Sequence, residues 1–405
     1  MQSTTQAGTH HYQRIPLMRL EPSIPASYYY DARHYERELE AFWYAMWVVA
    51  GREEEVPNPR DYKVVKIGTQ GILIVRDLDG QLRAFHNTCR HRGSILCTDE
   101  AGTLRSRRIV CPYHSWTYEL DGTLVATPRQ MDTPGFDMKD YRLFDVALGT
   151  WGGFIFVDLA GRAAGPLAEA LGGIPDQFTR YGFADLRVGK RIVLDVQANW
   201  KLLFENFSEC FHCPPVHPEL CQIVSAYRDA GAWGMHYDAA GNLIKELKPR
   251  YREDAATLTL DGTARIPPFR GLTEEERRTL YIAQTFRPNL FLNVHPDYVN
   301  SHMMFPTGPE SVRMVYDWLF EPDSMRLPSF DLEHYVALWD VTNRQDANNC
   351  RWQQEGLHSR ELRHGNFVPQ EVVCHQFNQW VLQTLGEAGA PATRSSAGNG
   401  GPAAV

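Results

Sequence analysis

The chain has 405 residues, enough for two or three domains around large hydrophobic cores. Its formal net charge of -8 argues against nucleic acid or an anionic membrane surface as the main partner. No apolar run reaches the roughly eighteen residues that cross a bilayer, and the opening segment has no signal-peptide core, so we expect no membrane association and a cytoplasmic location.

The sequence pattern predicts four parts in chain order. Residues 1–45 are predicted to form a polar arm and a helix that packs with the larger domain. Residues 46–160 hold short β-rich runs and Asp-Gly turns, which are typical of a small all-β domain. Residues 161–385 alternate strand and helix patterns, and the tail 386–405 is predicted to be disordered. The predicted fold class is therefore α+β.

Two mixed knuckles lie in the β-rich part, Cys89-x-His91 and Cys111-x-x-His114. Two thiolates and two imidazoles are ligands that zinc accepts, but structural zinc sites usually take their cysteines as one C-x-x-C knuckle. A Rieske [2Fe-2S] cluster binds one iron through two cysteines and the other through two histidines. The mixed knuckles favour the Rieske cluster, and zinc stays as the alternative.

A second cluster of chemically active residues lies in the stretch 199–217, NWKLLFENFSECFHCPPVH. Its apolar residues recur at helical intervals, and Glu205, Glu209 and His212 fall at i, i+4 and i+7, which predicts one shared helix face. The proline pair after Cys213 is predicted to end this helix. His217 would then return toward His212, and two imidazoles need one carboxylate to complete the facial triad of a ferrous iron site.

Both stretches resemble a known family. AFHNTCRHRGSILC followed by CPYHSWTYELDG is similar to the Rieske domain of the Rieske non-haem iron oxygenases, large subunit. ENFSECFHCPPVHPEL is similar to the mononuclear iron site of that family, and the resemblance covers roughly residues 40–385. It implies a catalytic domain with a helix-grip-like antiparallel sheet covered by helices. The implied cluster ligands are Cys89, His91, Cys111 and His114, and the implied iron ligands are His212 and His217.

The resemblance also implies roles for three further positions. The late helix WDVTNRQDANNCRWQQEGL places the third iron ligand at Asp346, with Asp340 as the weaker candidate. Glu209 stands where the family has a carboxylate that links a cluster histidine of the neighbouring subunit to an iron histidine, which implies a head-to-tail homotrimer. Asn206 stands where the family has a polar residue near the iron.

The glutamate at position 209 resembles the branch of the family that acts on quaternary ammonium compounds, such as glycine betaine, carnitine, choline and stachydrine. A trimethylammonium group has no N–H with which to donate a hydrogen bond, and it is best met by aromatic ring faces. Most of the available rings are expected to belong to the core. The candidates are Phe204, Phe211, Trp233, Tyr281, Phe286, Phe291, Tyr298 and Phe305.

The expected function is that of a terminal oxygenase that uses O₂ and a small-molecule substrate. No G-x-G-x-x-G nucleotide fingerprint occurs, so a separate NAD(P)H-dependent reductase with flavin and iron-sulfur groups is expected to supply electrons. The alternatives are an aromatic ring-hydroxylating or O-demethylating oxygenase with the same metals, an electron carrier, and a zinc-binding module.

Overall fold

The computed structural model describes residues 17–161, 165–230, 235–237, 243–246 and 251–387. The beginning of the predicted arm and the predicted tail from residue 388 onward lie outside these ranges. The predicted α+β fold class is confirmed, because a small β domain is followed by a larger domain in which helices cover an antiparallel sheet. Among the described residues, no helix is long and apolar enough to span a membrane.

The N-terminal segment begins with strand β1 (Glu21–Pro25) and helix α1 (Ala32–Glu38), which continues into a π-helix, Leu39–Trp43. Helix α1 begins at Asp31, whose side chain accepts a hydrogen bond from the amide of Arg33 and so caps the first turn. This segment packs against the larger domain, because β1 pairs with a strand close to the C-terminal end of the described chain.

The small domain contains three antiparallel sheets. A four-stranded sheet has the order β5-β4-β3-β6, and three-stranded sheets have the orders β7-β8-β9 and β10-β11-β2. The strands are β2 (Val48–Arg52), β3 (Asp61–Ile67), β4 (Gln70–Arg76), β5 (Leu82–His86), β6 (Ala101–Thr103), β7 (Ile109–Val110), β8 (Thr117–Tyr118), β9 (Leu124–Ala126), β10 (Ala147–Trp151) and β11 (Phe154–Asp158).

The larger domain is built on a five-stranded antiparallel sheet with the order β12-β18-β17-β16-β15. The strands of the larger domain, five of which form this sheet, are β12 (Arg187–Val196), β13 (Met235–Tyr237), β14 (Leu243–Glu246), β15 (Ile282–Phe286), β16 (Leu290–Val294), β17 (Val299–Gly308), β18 (Ser311–Phe320) and β19 (His364–Phe367). Its helices are α2 (Leu167–Leu171), α3 (Ile174–Phe178), α4 (Trp200–Phe207), α5 (Cys213–Val216), α6 (Pro218–Ile223), α7 (Ser225–Ala230), α8 (Glu274–Thr279), α9 (Leu332–Leu357) and α10 (Val372–Thr384).

Strand β17 lies in the centre of this sheet, although its sequence has no alternation of apolar and polar residues. Eight consecutive residues of β17 are buried. A strand that is covered on both faces has no solvated side, so the period-two pattern that reveals a half-exposed strand is absent. Sequence reasoning missed β17 for this reason.

A partly buried charge network joins the small domain to the sheet. Arg191 of β12 pairs with Asp317 of β18 at 2.6 Å and also with Glu55 of the small domain. Lys63 of β3 approaches the same Glu55 at 2.7 Å. Burial raises the pKa of Glu55, but the two cations outweigh burial and lower that pKa to about 2. The ionised carboxylate therefore holds the two domains in one fixed relation.

A buried ion pair holds helix α4 against the N-terminal segment. Lys201 Nζ lies 2.6 Å from Glu38 Oε1, and neither side chain is exposed. Trp200 Nε1 donates to the other oxygen of Glu38 at 2.7 Å. Removing one partner of such a pair leaves a buried charge without compensation, so the N-terminal segment and α4 are tied together.

Candidate metal centres

The two cysteine-histidine knuckles fold into loops of the same shape. In each loop the cysteine amide donates to the carbonyl five residues later, at 2.8 Å for Cys89 and 2.9 Å for Cys111. In each, the residue four positions after the cysteine has a positive φ, which is +74° at Gly93 and +59° at Ser115. The two knuckles therefore form matching tight turns.

The cysteines and the histidines of these loops differ in exposure. Cys89 and Cys111 are buried and interact with each other, whereas His91 and His114 are exposed, with ring centroids 4.7 Å apart. Trp116 stacks on His91 at 4.9 Å and fixes its ring. The four donors do not converge on a single point, as a zinc site requires, whereas two irons held by separate cysteine and histidine pairs fit this arrangement.

A second group of donors does converge on one point. One donor atom from each of His212, His217 and Asp346 lies within 4.8 Å of the others, and within the described ranges no other set of three or more His, Cys, Asp or Glu side chains is this close together. The nearer Asp346 oxygen lies 2.8 Å from His217 Nε2 and 3.4 Å from His212 Nε2. Burial disfavours the charged form of Asp346, but both imidazoles outweigh it and hold its pKa below the ordinary value.

The remaining ring nitrogens of both histidines have hydrogen-bond acceptors. His212 Nδ1 lies 2.5 Å from Glu209 Oε1, and His217 Nδ1 lies 2.8 Å from Gln345 Oε1. Gln345 is oriented in turn by donating to Glu219 at 3.0 Å. With each Nδ1 protonated, both Nε2 lone pairs face Asp346, and this is the donor arrangement that a divalent cation needs.

The other predicted positions are also placed by the structure. Asp340 accepts from Arg344 at 3.0 Å and takes no part in the group around Asp346. Asn206 Nδ2 lies 3.4 Å from His212 Nε2, beside the donor group. Asp340 and Asp346 are six residues apart on α9, which puts their side chains on different faces of the helix.

The predicted helix through this region is wrong in its end point. Helix α4 ends at Phe207, so Glu209 and His212 lie in the loop after it. Pro214 and Pro215 lie inside the short helix α5, because proline is accommodated in the first turn of a helix, where amides have no intrahelical acceptor. The loop allows the Glu209 carboxylate to reach the backbone amides of Phe211 and His212 as well as the His212 ring.

Comparison with known proteins identifies two domains in this chain. The model for the ring hydroxylating alpha subunit (catalytic domain) matches residues 183–387, and the model for the Rieske [2Fe-2S] domain matches residues 46–138. The chain belongs to the Rieske non-haem iron oxygenases. It is an oxygenase alpha subunit, and its cofactors are a Rieske [2Fe-2S] cluster and a mononuclear iron.

Relatives and solved structures cover nearly the whole Rieske oxygenase chain. It is 28% identical to the glycine betaine monooxygenase oxygenase subunit of Pseudomonas aeruginosa over 91% of each chain. It is 31% identical to the subunit of the same name from Chromohalobacter salexigens, over 90% of this chain and 86% of that one. The structure of the quaternary ammonium Rieske monooxygenase CntA in complex with gamma-butyrobetaine matches with a TM-score of 0.70 and 23% identity, covering 91% and 96% of the two chains.

An aromatic wall stands beside the donor group in this Rieske oxygenase. We use this name for the side chains of Phe207, Phe291, His302, Tyr316 and Trp339. The His302 ring lies 4.7 Å from Tyr316 and 5.7 Å from both Phe207 and Trp339, and Phe207 lies 4.7 Å from Phe291. Asp346 acts electrostatically on both His302 and Tyr316, so the wall adjoins the donor group.

The aromatic residues named from the sequence are mostly core residues of the oxygenase, as expected. Phe211 is 47% exposed, Tyr281 is partly buried, and Trp233 lies outside the described residues. The core members are Phe204, Phe286, Phe291, Tyr298 and Phe305. Only Phe291 of these also belongs to the aromatic wall as defined here, so ring count alone was a poor guide to the site.

Glu205 was expected on the helix face of Glu209, and this is wrong. Its side chain points away from the donor group and accepts from Tyr29 at 2.7 Å and from Asn378 at 2.6 Å. Burial raises the pKa of Glu205 to about 7, although both hydrogen bonds act in the opposite direction. The helical spacing of Glu205 could not reveal its buried position, because the hydrogen-bond partners of its carboxylate come from the N-terminal segment and from α10.

Replacing Glu205 by glutamine is expected to change the pH dependence of stability. The folded-state pKa of about 7 is above the ordinary 4.5, so protonation contributes stability that is full below about pH 4.5 and is lost as pH rises through 7. Between pH 5 and pH 8 the wild type should lose about 2 kcal/mol more unfolding free energy than Glu205→Gln.

Urea unfolding at the two pH values measures this difference. Glu253→Gln, which removes an exposed carboxylate, is the matched control and should follow the wild type. Parallel pH profiles for Glu205→Gln and the wild type would show that Glu205 is ionised throughout.

Proposed function

We propose that this Rieske oxygenase is the terminal component of an electron-transfer system that hydroxylates or N-demethylates a small quaternary ammonium compound. The convergence of His212, His217 and Asp346 beside an aromatic wall carries the proposal. The similarity to two glycine betaine monooxygenase oxygenase subunits over about nine-tenths of the chain supports the substrate class.

In this proposal the two metal groups have separate ligands. Cys89, His91, Cys111 and His114 hold the [2Fe-2S] cluster, and His212, His217 and Asp346 hold the mononuclear iron. The buried thiols and exposed imidazoles of the first set support the former assignment. Three donors on one side of a point leave positions open on the other side, which supports the latter.

When bound, the cluster supplies single electrons and the mononuclear iron supplies the activation of O₂. The protein orients these groups and the substrate. Glu209 and Gln345 hold the Nδ1 protons of the two histidines, so the Nε2 lone pairs stay directed at the metal. The aromatic wall presents ring faces to the trimethylammonium group and excludes water from it. Hydroxylation of a methyl carbon next to nitrogen gives a carbinolamine, which collapses to an aldehyde and the dealkylated amine.

Electrons are proposed to reach the iron from the cluster of a neighbouring subunit in a head-to-tail homotrimer. Within the described residues of one chain, no contact joins the cluster loops to Glu209. His91 and His114 are exposed, Tyr113 between the knuckle residues is 57% exposed, and Phe211 beside His212 is 47% exposed. One surface of the subunit therefore exposes the cluster histidines, and another exposes the loop that carries Glu209. In a closed head-to-tail ring, the first surface of each subunit lies against the second surface of its neighbour.

The electrons are proposed to come from a separate NAD(P)H-dependent reductase in the cytoplasm. The chain has no dinucleotide-binding fingerprint of its own. The reductase and the oxygenase therefore act as two proteins that meet at the Rieske domain.

Asp346→Asn is expected to lose the mononuclear iron and keep the cluster, because an amide is a weaker ligand than a carboxylate. The measured iron content should fall from about three to about two atoms per chain, while the visible spectrum of the cluster stays unchanged. Asp340→Asn, on the same helix but paired with Arg344, is the control and should keep all its iron. The reverse pattern would transfer the ligand role to Asp340.

Glu209→Gln is expected to keep both metals and to slow electron arrival at the mononuclear iron. The amide can still accept from His212 Nδ1 but carries no charge, so the imidazole becomes less basic. Pre-steady-state oxidation of the reduced cluster in the presence of substrate measures this step, and we expect a decrease of at least about tenfold. Wild-type rates would mean that the carboxylate has no part in the transfer.

The substrate class is tested by adding a reductase and following substrate-dependent O₂ consumption and formaldehyde release. Betaines and other trimethylammonium compounds should stimulate both, and aromatic acids should stimulate neither. Stimulation by aromatic acids alone would favour the ring-hydroxylating or O-demethylating alternative with the same two metals.

A further inference from the structure

On α9, next to the side chains of His212, His217 and Asp346, a buried amide has an N–H that no described residue accepts. Asn343 is 3% exposed, and its Nδ2 has no hydrogen-bond partner among the described residues. It lies one turn after Trp339 and one turn before Asp346, on the same face of the helix. A buried donor without a partner costs free energy, so this position needs an acceptor that comes from outside the described chain.

The neighbouring histidine of the aromatic wall has an unused acceptor. His302 is buried, and its Nε2 lies 2.5 Å from Asn300 Oδ1. Asn300 is itself oriented, because its Nδ2 donates to the carbonyl of Asp317 at 3.3 Å. His302 Nε2 must therefore be protonated and donate to Asn300 Oδ1. The contact from the same Nε2 to Asn293 Nδ2, at 3.4 Å, is too long to reverse this assignment.

The other nitrogen of His302 is then a lone pair. Within the part of the chain that the structure describes, Nδ1 of His302 makes no hydrogen bond. Burial lowers the pKa of His302 to about 3, although Asp346 acts in the opposite direction, so the ring stays neutral. The histidine thus offers an acceptor and Asn343 offers a donor. Trp339, which lies one turn before Asn343 on α9, contacts His302 with ring centroids 5.7 Å apart.

These two groups match a hydroxyl group, which donates one hydrogen bond and accepts another. A carboxylate only accepts, so it would meet the Nδ1 lone pair of His302 unfavourably. The pair therefore discriminates by hydrogen-bond type rather than by charge.

We propose that Asn343 and His302 form a subsite for a hydroxyl group of the substrate, and that the preferred substrate is a quaternary ammonium compound that carries such a hydroxyl. This inference rests on the proposed function and narrows its substrate class. The hydroxyl bridges Asn343 Nδ2 and His302 Nδ1, and the trimethylammonium group lies against the aromatic wall.

Two pairs of probes isolate the hydroxyl. L-carnitine differs from gamma-butyrobetaine by one hydroxyl group, and choline differs from ethyltrimethylammonium in the same way. Calorimetric titration of the holoenzyme should show that the hydroxyl-bearing member of at least one pair binds about tenfold more tightly. Asn343→Ala and His302→Phe should each bring that ratio close to one.

The matched control is Asn348→Ala, which removes the same side chain from an exposed position of the same helix and should keep the wild-type ratio. The cluster spectrum and retention of the mononuclear iron together show that both domains of each variant are folded. Equal affinities within both pairs, or a ratio that survives both Asn343→Ala and His302→Phe, would overturn this inference and leave the proposed function intact. Absence of binding by all four compounds would overturn the quaternary ammonium proposal, and the hydroxyl subsite with it.

Discussion

The hydrogen bond between His212 Nδ1 and Glu209 is the interaction on which the rest of the site depends. It fixes the ring so that Nε2 faces Asp346, and the second oxygen of the same carboxylate accepts from the backbone of the loop that carries His212. One side chain thus sets both the direction of an imidazole and the conformation of its loop. The proposed path of the electron uses this same carboxylate, so ligand geometry and electron delivery have a common origin.

Helix α4 gives this loop a fixed starting point. The helix is tied to the N-terminal segment through Lys201 and Glu38, and through Glu205 to Tyr29 and to Asn378 of α10. These buried polar contacts come from residues more than 150 positions apart, so the two ends of the described chain meet behind the site. Small displacements of a catalytic loop change rates strongly, which gives these contacts a functional as well as a stabilising role.

Much of the fold and of the candidate site could be predicted from sequence because the relevant signals are local. Each of these signals is contained in a short stretch of sequence: the Cys-His spacing at Cys89 and Cys111, and the helical pattern around Asp346. The resemblance to the family was confirmed, as were the α+β class and the two cofactors. The ligand assignments and the domain limits at residues 45, 160 and 385 stay predictions.

The errors arose where long-range contacts decide the structure. Helix α4 ends at Phe207 because the next residues turn toward the donor group, and nothing in their helical spacing shows this. Glu205 was predicted to share a helix face with Glu209 and His212, but its hydrogen-bond partners come from distant segments. Strand β17 is buried on both faces, which removes the alternation that identifies a strand.

Transfer of electrons between subunits is the central claim, and mixed oligomers test it most directly. A Cys111→Ser chain, which should lack the cluster, and a His212→Ala chain, which should lack the mononuclear iron, are each expected to be inactive. Co-assembled in equal amounts, they should recover roughly a quarter of the wild-type rate, because a productive junction needs an intact cluster from one chain and an intact iron site from the next. Mixed oligomers that assemble fully but stay inactive would contradict the account.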